Sequence, residues 1–455
     1  MKYLTLIPLI VLFSACGGGS AGTSTTSEPS YVTDDLYYQQ WYMEENSTFY
    51  SQNSIDSNAH IQANGNLSNY TGKGIKVAVI DNGFDVEHPQ IKDKIIATVS
   101  VDTYGNILGS DVSHNPTSEY HGTAVAGIIA SADDNVGIRG VSPEVELILI
   151  KSPSSITAAG EIELFNQAIN YGADVINCSW GTGSVSSSVE NYINGIANTG
   201  RDGKGAIIVF ASGNDNADVG NDEASIENVI AVGATGEDNL RTSYSSYGKV
   251  LDIVAPGGSS LGIATLDPLG SNGANSDEYI RYNETNNGSN VYFTGTSASA
   301  PILSGTIALL LQKDSNLTRL EIQEKLKYST DTIGLNTPYL DEMVRSSSQT
   351  PTITGLLGTS GNSDIKVRLT LDSNSSQYGP YNISVNGDNT FSSSVTDTLP
   401  EGNYTIELLN NALSTVYATD SNFEVNTSKT DESNSSIRKS DFYGYGKINL
   451  GKLLQ

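Results

Sequence analysis

Cysteine, histidine and basic residues are all scarce in this 455-residue chain. Two cysteines, Cys16 and Cys178, are too few for the disulfide framework that staples small secreted domains. Only four histidines are available as general bases near neutral pH. Lysine and arginine together number 24 against 51 acidic residues, which gives a net charge of −27. This balance lacks the basic surface that nucleic-acid binding requires, so no nucleic-acid partner is expected.

The N-terminal residues have the pattern of an export signal. Lys2 precedes an apolar run over residues 3–13, which is too short to span a membrane as a stable helix. The small residues Ser14 and Ala15 stand directly before Cys16 and resemble the lipobox of bacterial lipoproteins, which implies lipidation of Cys16. The alternative is an ordinary signal peptide with a chance cysteine. Residues 17–34 are rich in Gly and Ser and are predicted to be a flexible tether.

Short apolar runs alternate with helical patterns over most of the chain. The runs predicted to be buried strands are residues 75–80, 145–150, 173–177, 206–210, 229–232 and 251–254. The helical patterns cover residues 123–130, 161–171 and 189–197. This alternation predicts an α/β fold in which a parallel sheet carries helices on both faces. Functional groups of such sheets gather at the carboxyl ends of strands, where Asp81 and Asn214 are found.

Between residues 350 and 435 the pattern changes to an alternation of apolar and polar residues. Ile365, Val367, Leu369 and Leu371 alternate with polar residues, and later groups repeat this pattern between Gly, Asn and Pro turns. The alternation predicts a small antiparallel module, similar to a β-sandwich, whose apolar residues are core positions. Nothing in the module has a catalytic pattern.

Ser297 is the candidate nucleophile. It lies in Gly295-Thr296-Ser297-Ala298-Ser299-Ala300-Pro301, where small neighbours allow a substrate backbone to approach, and an apolar helical run follows. A helix that starts there directs its free N–H groups and the positive end of its dipole at an oxyanion formed nearby. Most serines in such stretches are plain loop residues, so the interpretation depends on partners elsewhere in the chain.

Three further residues supply those partners. A serine nucleophile requires a base near neutral pH, and His121 begins a helical pattern lined with Gly and Ala. Asp81 ends a buried strand, where a carboxylate can orient an imidazole and stabilise its charged form. Asn214 follows another buried strand, and its amide can donate to an oxyanion. Each residue also has a structural interpretation, because helix starts and strand ends often carry such residues as caps and turns.

Together these residues resemble the motifs of the subtilisin-like serine proteases, the subtilases. Val79-Ile80-Asp81-Asn82-Gly83 resembles the aspartate motif of the family, and the heptapeptide around Ser297 resembles its serine motif. His121-Gly122-Thr123 resembles the histidine motif, with Ala124 where many members have a second histidine. The order Asp, His, Ser is the subtilisin order. The resemblance covers roughly residues 35–340 and resumes at residues 443–450.

The resemblance implies a role for each residue. Ser297 attacks the peptide carbonyl, His121 transfers the proton and Asp81 holds the imidazole tautomer. Asn214 and the Ser297 N–H bind the oxyanion. Ser179-Trp180-Gly181 resembles the segment that pairs with extended substrate as an added strand, although a turn at the end of a strand is the alternative.

The domain organisation follows from these motifs. The predicted segments are a lipoprotein signal peptide (1–16), a tether (17–34), a subtilisin-like protease domain (35–349), an inserted β module (350–435) and the C-terminal end of the protease domain (436–455). Some segments, such as Ser179-Trp180-Gly181, are also similar to the kexin-like branch, which cuts after basic residues. Four residues could supply acid to such a specificity pocket, although solvated loop charges are the favoured interpretation: Asp215, Asp218, Asp222 and Glu223.

The family resemblance extends to a calcium loop. Residues 132–138 resemble the main calcium loop of the subtilases, with Asp134 as a side-chain ligand. Gln90 stands where the family usually has an aspartate after the His-Pro pair, so one charged ligand is missing. The resemblance allows a structural calcium ion and requires no cofactor for the chemistry.

The leading hypothesis is a serine endopeptidase that acts on proteins or peptides and is tethered to the cell envelope by a lipid anchor. Gly17 after Cys16 offers no inner-membrane retention signal of the aspartate type, which favours the outer membrane, facing the periplasm or the exterior. The alternative is a catalytically inactive subtilase-like protein for adhesion or assembly, with the β module binding a protein partner. An esterase of the Gly-X-Ser-X-Gly type would require a different motif around Ser297 and the order Ser, Asp, His.

Overall fold

The computed structural model describes residues 36–63, 65–115, 119–270, 273–274, 279–280, 284–286, 289–334, 337–357 and 364–455. The predicted signal peptide, Cys16 and the tether lie outside the described residues. Among the helices of the described segments, none combines the length and the apolar character that crossing a bilayer demands.

Helices and strands alternate through the first part of the described segments, and strands dominate after residue 330. The helices are α1 (Ser47–Asn53), α2 (His121–Ala130), α3 (Ala158–Asn170), α4 (Ser187–Gly203), α5 (Thr296–Lys313), α6 (Arg319–Tyr328) and α7 (Leu450–Leu453). The strands are β1 (Lys76–Asp81), β2 (Ile95–Val101), β3 (Ile107–Gly109), β4 (Glu146–Lys151), β5 (Val175–Cys178), β6 (Ile207–Ala211), β7 (Ile230–Thr235), β8 (Ile253–Pro256), β9 (Thr265–Leu266), β10 (Tyr279–Ile280), β11 (Glu284–Asn286), β12 (Ser289–Val291), β13 (Thr330–Asp331), β14 (Tyr339–Ser346), β15 (Thr352–Leu356), β16 (Ile365–Leu371), β17 (Ser376–Asn382), β18 (Ser384–Val385), β19 (Thr390–Ser394), β20 (Gly402–Asn410), β21 (Val416–Val425), β22 (Glu432–Lys439) and β23 (Lys447–Ile448).

The first sheet has the strand order β13-β23-β8-β7-β6-β5-β1-β4-β2-β3. Its strands from β8 to β2 run parallel, and the outer pairs β2–β3 and β13–β23 are antiparallel. Strand β1 lies between β4 and β5, so the chain crosses to the other half of the sheet at this point. Ligands of open α/β sheets bind outside the carboxyl ends of strands at such a crossing. Asp81 ends β1, and Ser179 directly follows β5.

Helices cover both faces of this sheet, as predicted. Along β1, Val77 and Val79 pack into the cluster that contains α2 and α5, whereas Ala78 and Ile80 pack into the cluster that contains α3 and α4. Successive strand side chains point to opposite faces, so a continuous apolar run is what a strand buried on both faces requires. Full burial of a Val or Ile side chain contributes roughly 1.5–3 kcal/mol, which makes this double-faced core the main support of the fold.

A second sheet lies between β13 and β23 in the sequence. Its strand order is β17-β16-β20-β21-β14-β15-β19-β18, with β22 paired to β14, and it has its own apolar core. The chain leaves the first sheet after β13, builds the second sheet and returns at β23, so the topology is that of an insertion. Both sheets belong to one compact unit, residues 34–455.

Two features of the second sheet differ from the expectation. It begins at β14, before the expected boundary at residue 350. The adjacent charged residues Asp341 and Glu342 interrupt the apolar pattern of this strand, so the sequence does not predict it. The sheet is also mixed, because β14 and β21 run parallel through Arg345 and Glu424. In the first sheet, β2 was not predicted, since the first half of this strand is only partly buried and its sequence has no clear period.

Candidate active site

The imidazole of His121 pairs with the carboxylate of Asp81. The Nδ1 atom of His121 lies 2.9 Å from both carboxylate oxygens, and Asp81 is buried. A carboxylate partner requires a proton on Nδ1, which leaves Nε2 free to accept one. Burial alone would lower the pKa of His121, but the charge of Asp81 and its hydrogen bond outweigh burial and raise the pKa above the usual 6.5.

A glycine allows this pairing. His121 is the first residue of α2, and a Cβ added at Gly122 would lie 2.3 Å from the carbonyl oxygen of Gly83. Only glycine therefore permits the start of α2 to approach the end of β1 so closely. Thr123 also joins α2 to the segment after β1, because its hydroxyl accepts the backbone N–H of Asp85 at 2.9 Å. The histidine motif thus acts through backbone packing as well as through the imidazole.

Ser297 lies at the second position of α5, where the helix provides no acceptor for its N–H. Its hydroxyl donates to the carbonyl oxygen of Ser179 at 3.0 Å, and its own carbonyl accepts the Ser179 hydroxyl at 3.0 Å. No hydrogen bond joins Ser297 to His121, both of which are described residues. The hydroxyl of the nucleophile is thus directed at Ser179, and contacts between nucleophile and base often tighten only when substrate binds.

A buried polar chain fixes the start of α5 against β5. The Nδ2 of Asn177 donates to the Ser179 hydroxyl at 3.0 Å, and the Ser304 hydroxyl donates to the Oδ1 of Asn177 at 2.9 Å. Asn177 and Ser304 are fully buried, so every bond in this chain is shielded from water. The position of Ser297 is therefore set by β5 and by its own helix together.

Asn214 lies beside the nucleophile. Its Oδ1 accepts the N–H of Thr296 at 3.0 Å and the Thr296 hydroxyl at 3.1 Å. A Cβ added at Gly295 would lie 3.3 Å from the Asn214 Nδ2, and Gly295 has a φ of 124°, which favours glycine. Since Oδ1 is held on one side, Nδ2 is presented on the other as a donor. The arrangement fits an oxyanion site made of this amide and the Ser297 N–H.

Asp81, His121 and the segment after β5 line one cleft of about 640 Å³. We call residues 179–182, which form one wall, the edge segment. Residues 152–156, which follow β4, also line this cleft.

Within the edge segment, Trp180 turns its indole inward. Its Nε1 donates to the carbonyl oxygen of Ile80 at 2.9 Å, and its ring packs edge-to-face on Phe210 at 5.4 Å. The side chain therefore anchors the edge segment to β1 and β6. A role in substrate pairing falls to the backbone of Ser179-Trp180-Gly181, as the resemblance implies.

Several site residues were not predicted from the sequence. Thr296, inside the serine motif, orients Asn214, and Phe293 lies 5.5 Å from the His121 ring, yet no sequence pattern predicts either of these contacts. Two of the four acidic residues considered for a specificity pocket, Asp215 and Asp218, are exposed. Glu223 is instead fully buried and bonds the backbone of the edge segment, so it is not a solvated loop charge.

The contacts of Asp134 do not fit a calcium site. Its two carboxylate oxygens accept the Gln90 Nε2 at 3.1 and 3.4 Å. The Gln90 Oε1 accepts the Ser131 hydroxyl at 3.1 Å, which directs the amide N–H groups at Asp134. Calcium prefers six to eight oxygen ligands, whereas an amide donor occupies this carboxylate. The Nζ of Lys94 donates to the backbone carbonyl oxygen of Gln90 at 2.9 Å. Among the described residues, no three or more acidic, His or Cys side chains form a group that could hold a metal ion.

Asp134 is therefore a hydrogen-bond acceptor for an uncharged amide, at a position where a second carboxylate would favour a cation, and its role as a calcium ligand stays a prediction. Cys178, the other cysteine, is a free buried residue, as its apolar segment predicts.

The fold and these contacts define a class: α/β proteins with a serine-hydrolase type of site at the carboxyl edge of a parallel sheet. The model of the Subtilase family matches residues 72–359, which is more than half of the chain. The chain belongs to this family.

Named relatives agree with the assignment. The chain is 33% identical over 321 residues to a "Calcium-dependent protease" of Nostoc sp., a match that covers 65% of this chain and 47% of the relative. It is 31% identical over 289 residues to "Subtilisin Savinase" of Lederbergia lenta, covering 62% of this chain and 92% of the relative. The chain spans about half the length of the Nostoc relative and of a similar protease from Trichormus variabilis.

Solved structures show the same fold. A protease of Pseudoalteromonas arctica superposes with a TM-score of 0.52 at 25% identity, covering 67% of this chain and 93% of that chain. The serine protease of Aeromonas sobria, in a complex with a chaperone, superposes with a TM-score of 0.59 at 17% identity. That match covers 88% of this chain and 94% of the other, and it bears on the fold alone.

Proposed function

We propose that the chain is a serine endopeptidase. The observation that carries this proposal is the contact of His121 Nδ1 with both oxygens of the buried Asp81, at 2.9 Å each. It leaves Nε2 of His121 as a base whose pKa is raised, and His121 lines the same cleft as the edge segment. Membership of the subtilase family supports the same chemistry.

Acylation begins at Ser297. Its oxygen forms a bond to the carbonyl carbon of the peptide while its proton moves to the Nε2 of His121. The carbonyl oxygen becomes an oxyanion, which accepts the Ser297 N–H and the Asn214 amide. The carbon–nitrogen bond then breaks, and His121 returns the proton to the leaving amine. Asp81 stabilises the imidazolium throughout without taking its proton.

Water repeats the sequence in the second half of the reaction. His121 accepts a proton from the water, whose oxygen bonds to the acyl carbon, and the Ser297 oxygen leaves with the proton that His121 returns. No step needs a metal or an organic cofactor. The edge segment supports the reaction by holding the substrate backbone as an added strand beside Ser179, which bonds Ser297 directly.

A fluorophosphonate probe and a peptide library test this proposal. We expect the probe to label Ser297 in folded protein and to leave Ser297→Ala unlabelled, and we expect cleavage at internal peptide bonds. Circular dichroism would show that both proteins are folded. Folded protein that neither reacts with the probe nor cleaves peptides would overturn the proposal in favour of the inactive adhesion or assembly protein.

The location and the partners are also proposals. The segment before Cys16 supports a lipid anchor at this residue, and Gly17 supports the outer membrane as its location. Metabolic labelling with a radioactive fatty acid should mark the wild-type chain and not Cys16→Ala, and membrane fractionation should separate the two. The second sheet supports a protein partner through its edge strand β17, most of whose residues are exposed.

A further inference from the structure

The loop that carries Asn214 is paired along its length with a segment that follows strand β7. We call residues 212–219 the oxyanion loop and residues 241–247 the support segment. Backbone hydrogen bonds of 2.7 to 2.9 Å join the two: the N–H of Asn216 to the carbonyl of Tyr244, the N–H of Ser246 to that of Gly213 and the N–H of Tyr247 to that of Ala217. The place of Asn214 therefore depends on the support segment.

Arg241 adds side-chain bonds to this pairing. Its Nη2 donates to the Oδ1 of Asn216 at 3.1 Å, and its Nη1 donates to the carbonyl oxygen of Ser245. Asn216 stands two residues after Asn214 and has a φ of 50°, in the left-handed region that asparagine tolerates. One guanidinium thus fixes the oxyanion loop and the support segment to each other.

Two aromatic rings hold the guanidinium in place. Its Cζ lies 5.2 Å from the centroid of the Tyr247 ring and 5.4 Å from that of the Phe442 ring, and the two rings stack with 4.7 Å between their centroids. A cation is attracted to the face of an aromatic ring at such distances. Tyr247 belongs to the support segment, whereas Phe442 is remote from it in the sequence.

Phe442 lies where the chain returns from the second sheet to the first. Its neighbour Asp441 donates its N–H to the carbonyl oxygen of Tyr417 in β21 at 3.0 Å. On the other side of Phe442, the Tyr443 hydroxyl accepts the backbone N–H of Arg241 at 3.3 Å. The second sheet is therefore bonded to the segment whose aromatic ring contacts the guanidinium.

We propose that Arg241 is a positioning residue for the oxyanion amide of Asn214, and that the second sheet sets the place of Arg241 through Phe442. The proposal rests on the proposed function, in which Asn214 donates to the oxyanion. Without the guanidinium, Asn216 loses the side-chain bond that holds the oxyanion loop against the support segment. A donor must lie within about 3 Å of the oxyanion, so a small displacement of the amide weakens binding of the transition state.

Arg241→Met removes the charge and the donors and keeps an apolar stem of similar shape. We expect kcat for a peptide to fall about tenfold with little change in KM, which is less than the loss of a whole oxyanion donor costs. The control is Lys249→Met, which removes a positive charge from an exposed residue just after the support segment and should keep the wild-type values. A rise in KM with kcat unchanged would overturn the proposal.

A double-mutant cycle with Asn214 separates positioning of the amide from a general loss of structure. The amide is absent in Asn214→Ala, so adding Arg241→Met to that variant should lower kcat by no more than about twofold. Circular dichroism and thermal unfolding would show that each protein is folded. An equal loss of kcat with and without the Asn214 amide would overturn the proposal.

Two conservative pairs provide the same test if Arg241→Met fails to fold. Asn216→Gly tolerates the positive φ but lacks the acceptor, whereas Asn216→Asp retains it. Phe442→Leu lacks the aromatic ring, whereas Phe442→Tyr retains it. We expect kcat to fall by about three- to tenfold in Asn216→Gly and Phe442→Leu and to stay close to wild type in the other two variants.

Equal kcat values within both conservative pairs would also overturn the proposal. Wild-type protein that never reacts with the fluorophosphonate would instead overturn the proposed function, so the two failures are distinguishable.

Discussion

The Nδ1 atom of His121 lies at the same distance, 2.9 Å, from each carboxylate oxygen of Asp81. The contact holds the ring in one orientation and stabilises its protonated form. Because the folded pKa lies above the usual 6.5, this contribution to stability is fully present below pH 6.5 and is lost as the pH rises through the folded pKa. Catalysis requires the opposite protonation state, since His121 must be neutral to act as a base.

The first prediction concerns this pair. The kcat/KM for a peptide should fall as the pH is lowered through a pKa above 6.5. Asp81→Asn should move that limb to lower pH and reduce kcat by about 10⁴-fold, because the amide cannot hold the required tautomer. Asp93→Asn, at an exposed position, is the matched control and should change neither value. A pH profile of Asp81→Asn that coincides with that of the wild type would contradict the assigned role.

The second prediction concerns the oxyanion site. Asn214→Ala should lower kcat by about 10²- to 10³-fold with little change in KM, because the amide acts only on the charge that develops in the transition state. Thr296→Val removes the hydroxyl that orients Asn214 and should cost about five- to tenfold. Thr296→Ser retains that hydroxyl and should stay close to wild type. Steady-state kinetics of the three variants on one peptide substrate test this prediction. A loss of kcat/KM that comes from a higher KM, with kcat unchanged, would exclude the oxyanion role.

The third prediction concerns calcium. Gln90→Asp replaces the amide donor by a carboxylate facing Asp134, so the two negative charges should destabilise the loop without a cation and bind calcium when it is present. A free calcium concentration of a hundred times Kd would add about 2.7 kcal/mol to the free energy of unfolding. Thermal unfolding with calcium and with chelator should therefore show a larger shift in Tm for Gln90→Asp than for the wild type. The neutral control Gln90→Asn should respond like the wild type, and an equal response of all three proteins would refute the prediction.

The fourth prediction concerns the approach of α2 to β1. Gly122→Ala should destabilise the protein by about 1–3 kcal/mol, because the new Cβ meets the Gly83 carbonyl oxygen, and it should also reduce activity by displacing His121. The control is Gly195→Ala on the exposed side of α4, where nothing lies within 4 Å of the new atom. This control should stabilise the protein by about 0.4–1 kcal/mol. Denaturant unfolding measures both changes, and equal effects would show that close packing does not set the position of His121.

Much of the fold could be predicted from local patterns. The six apolar runs taken as strands correspond to β1, β4, β5, β6, β7 and β8, because strands buried on both faces have continuous apolar sequences. The helical patterns correspond to α2, α3 and α4, because the spacing of apolar residues along a helix is also a local property of the sequence. Strand β14 and the parallel pairing of β14 with β21 could not be predicted, since charged residues interrupt the pattern of the former and pairing depends on distant partners.

The site also has a part that the sequence predicts and a part that it does not. Asp81, His121, Asn214 and Ser297 stand in recognisable local motifs, and the chain shows where each motif begins and ends. The partner of each side chain, however, is far away in the sequence: Thr296 for Asn214, Ser179 for Ser297 and Gln90 for Asp134. A calcium ligand could be predicted for Asp134 from its loop, but the orientation of the Gln90 amide depends on Ser131.

The sequence by itself determined the order of the motifs, the acidic character and the α/β class, because these depend on residue type and on short periods along the chain. The tertiary structure alone decided which carboxylate contacts the imidazole, which carbonyl accepts the Ser297 hydroxyl and that Glu223 accepts the N–H of Thr182. These hydrogen bonds depend on distances of a few ångströms between elements that are remote in sequence. Only the packing of helices on the sheet sets those distances.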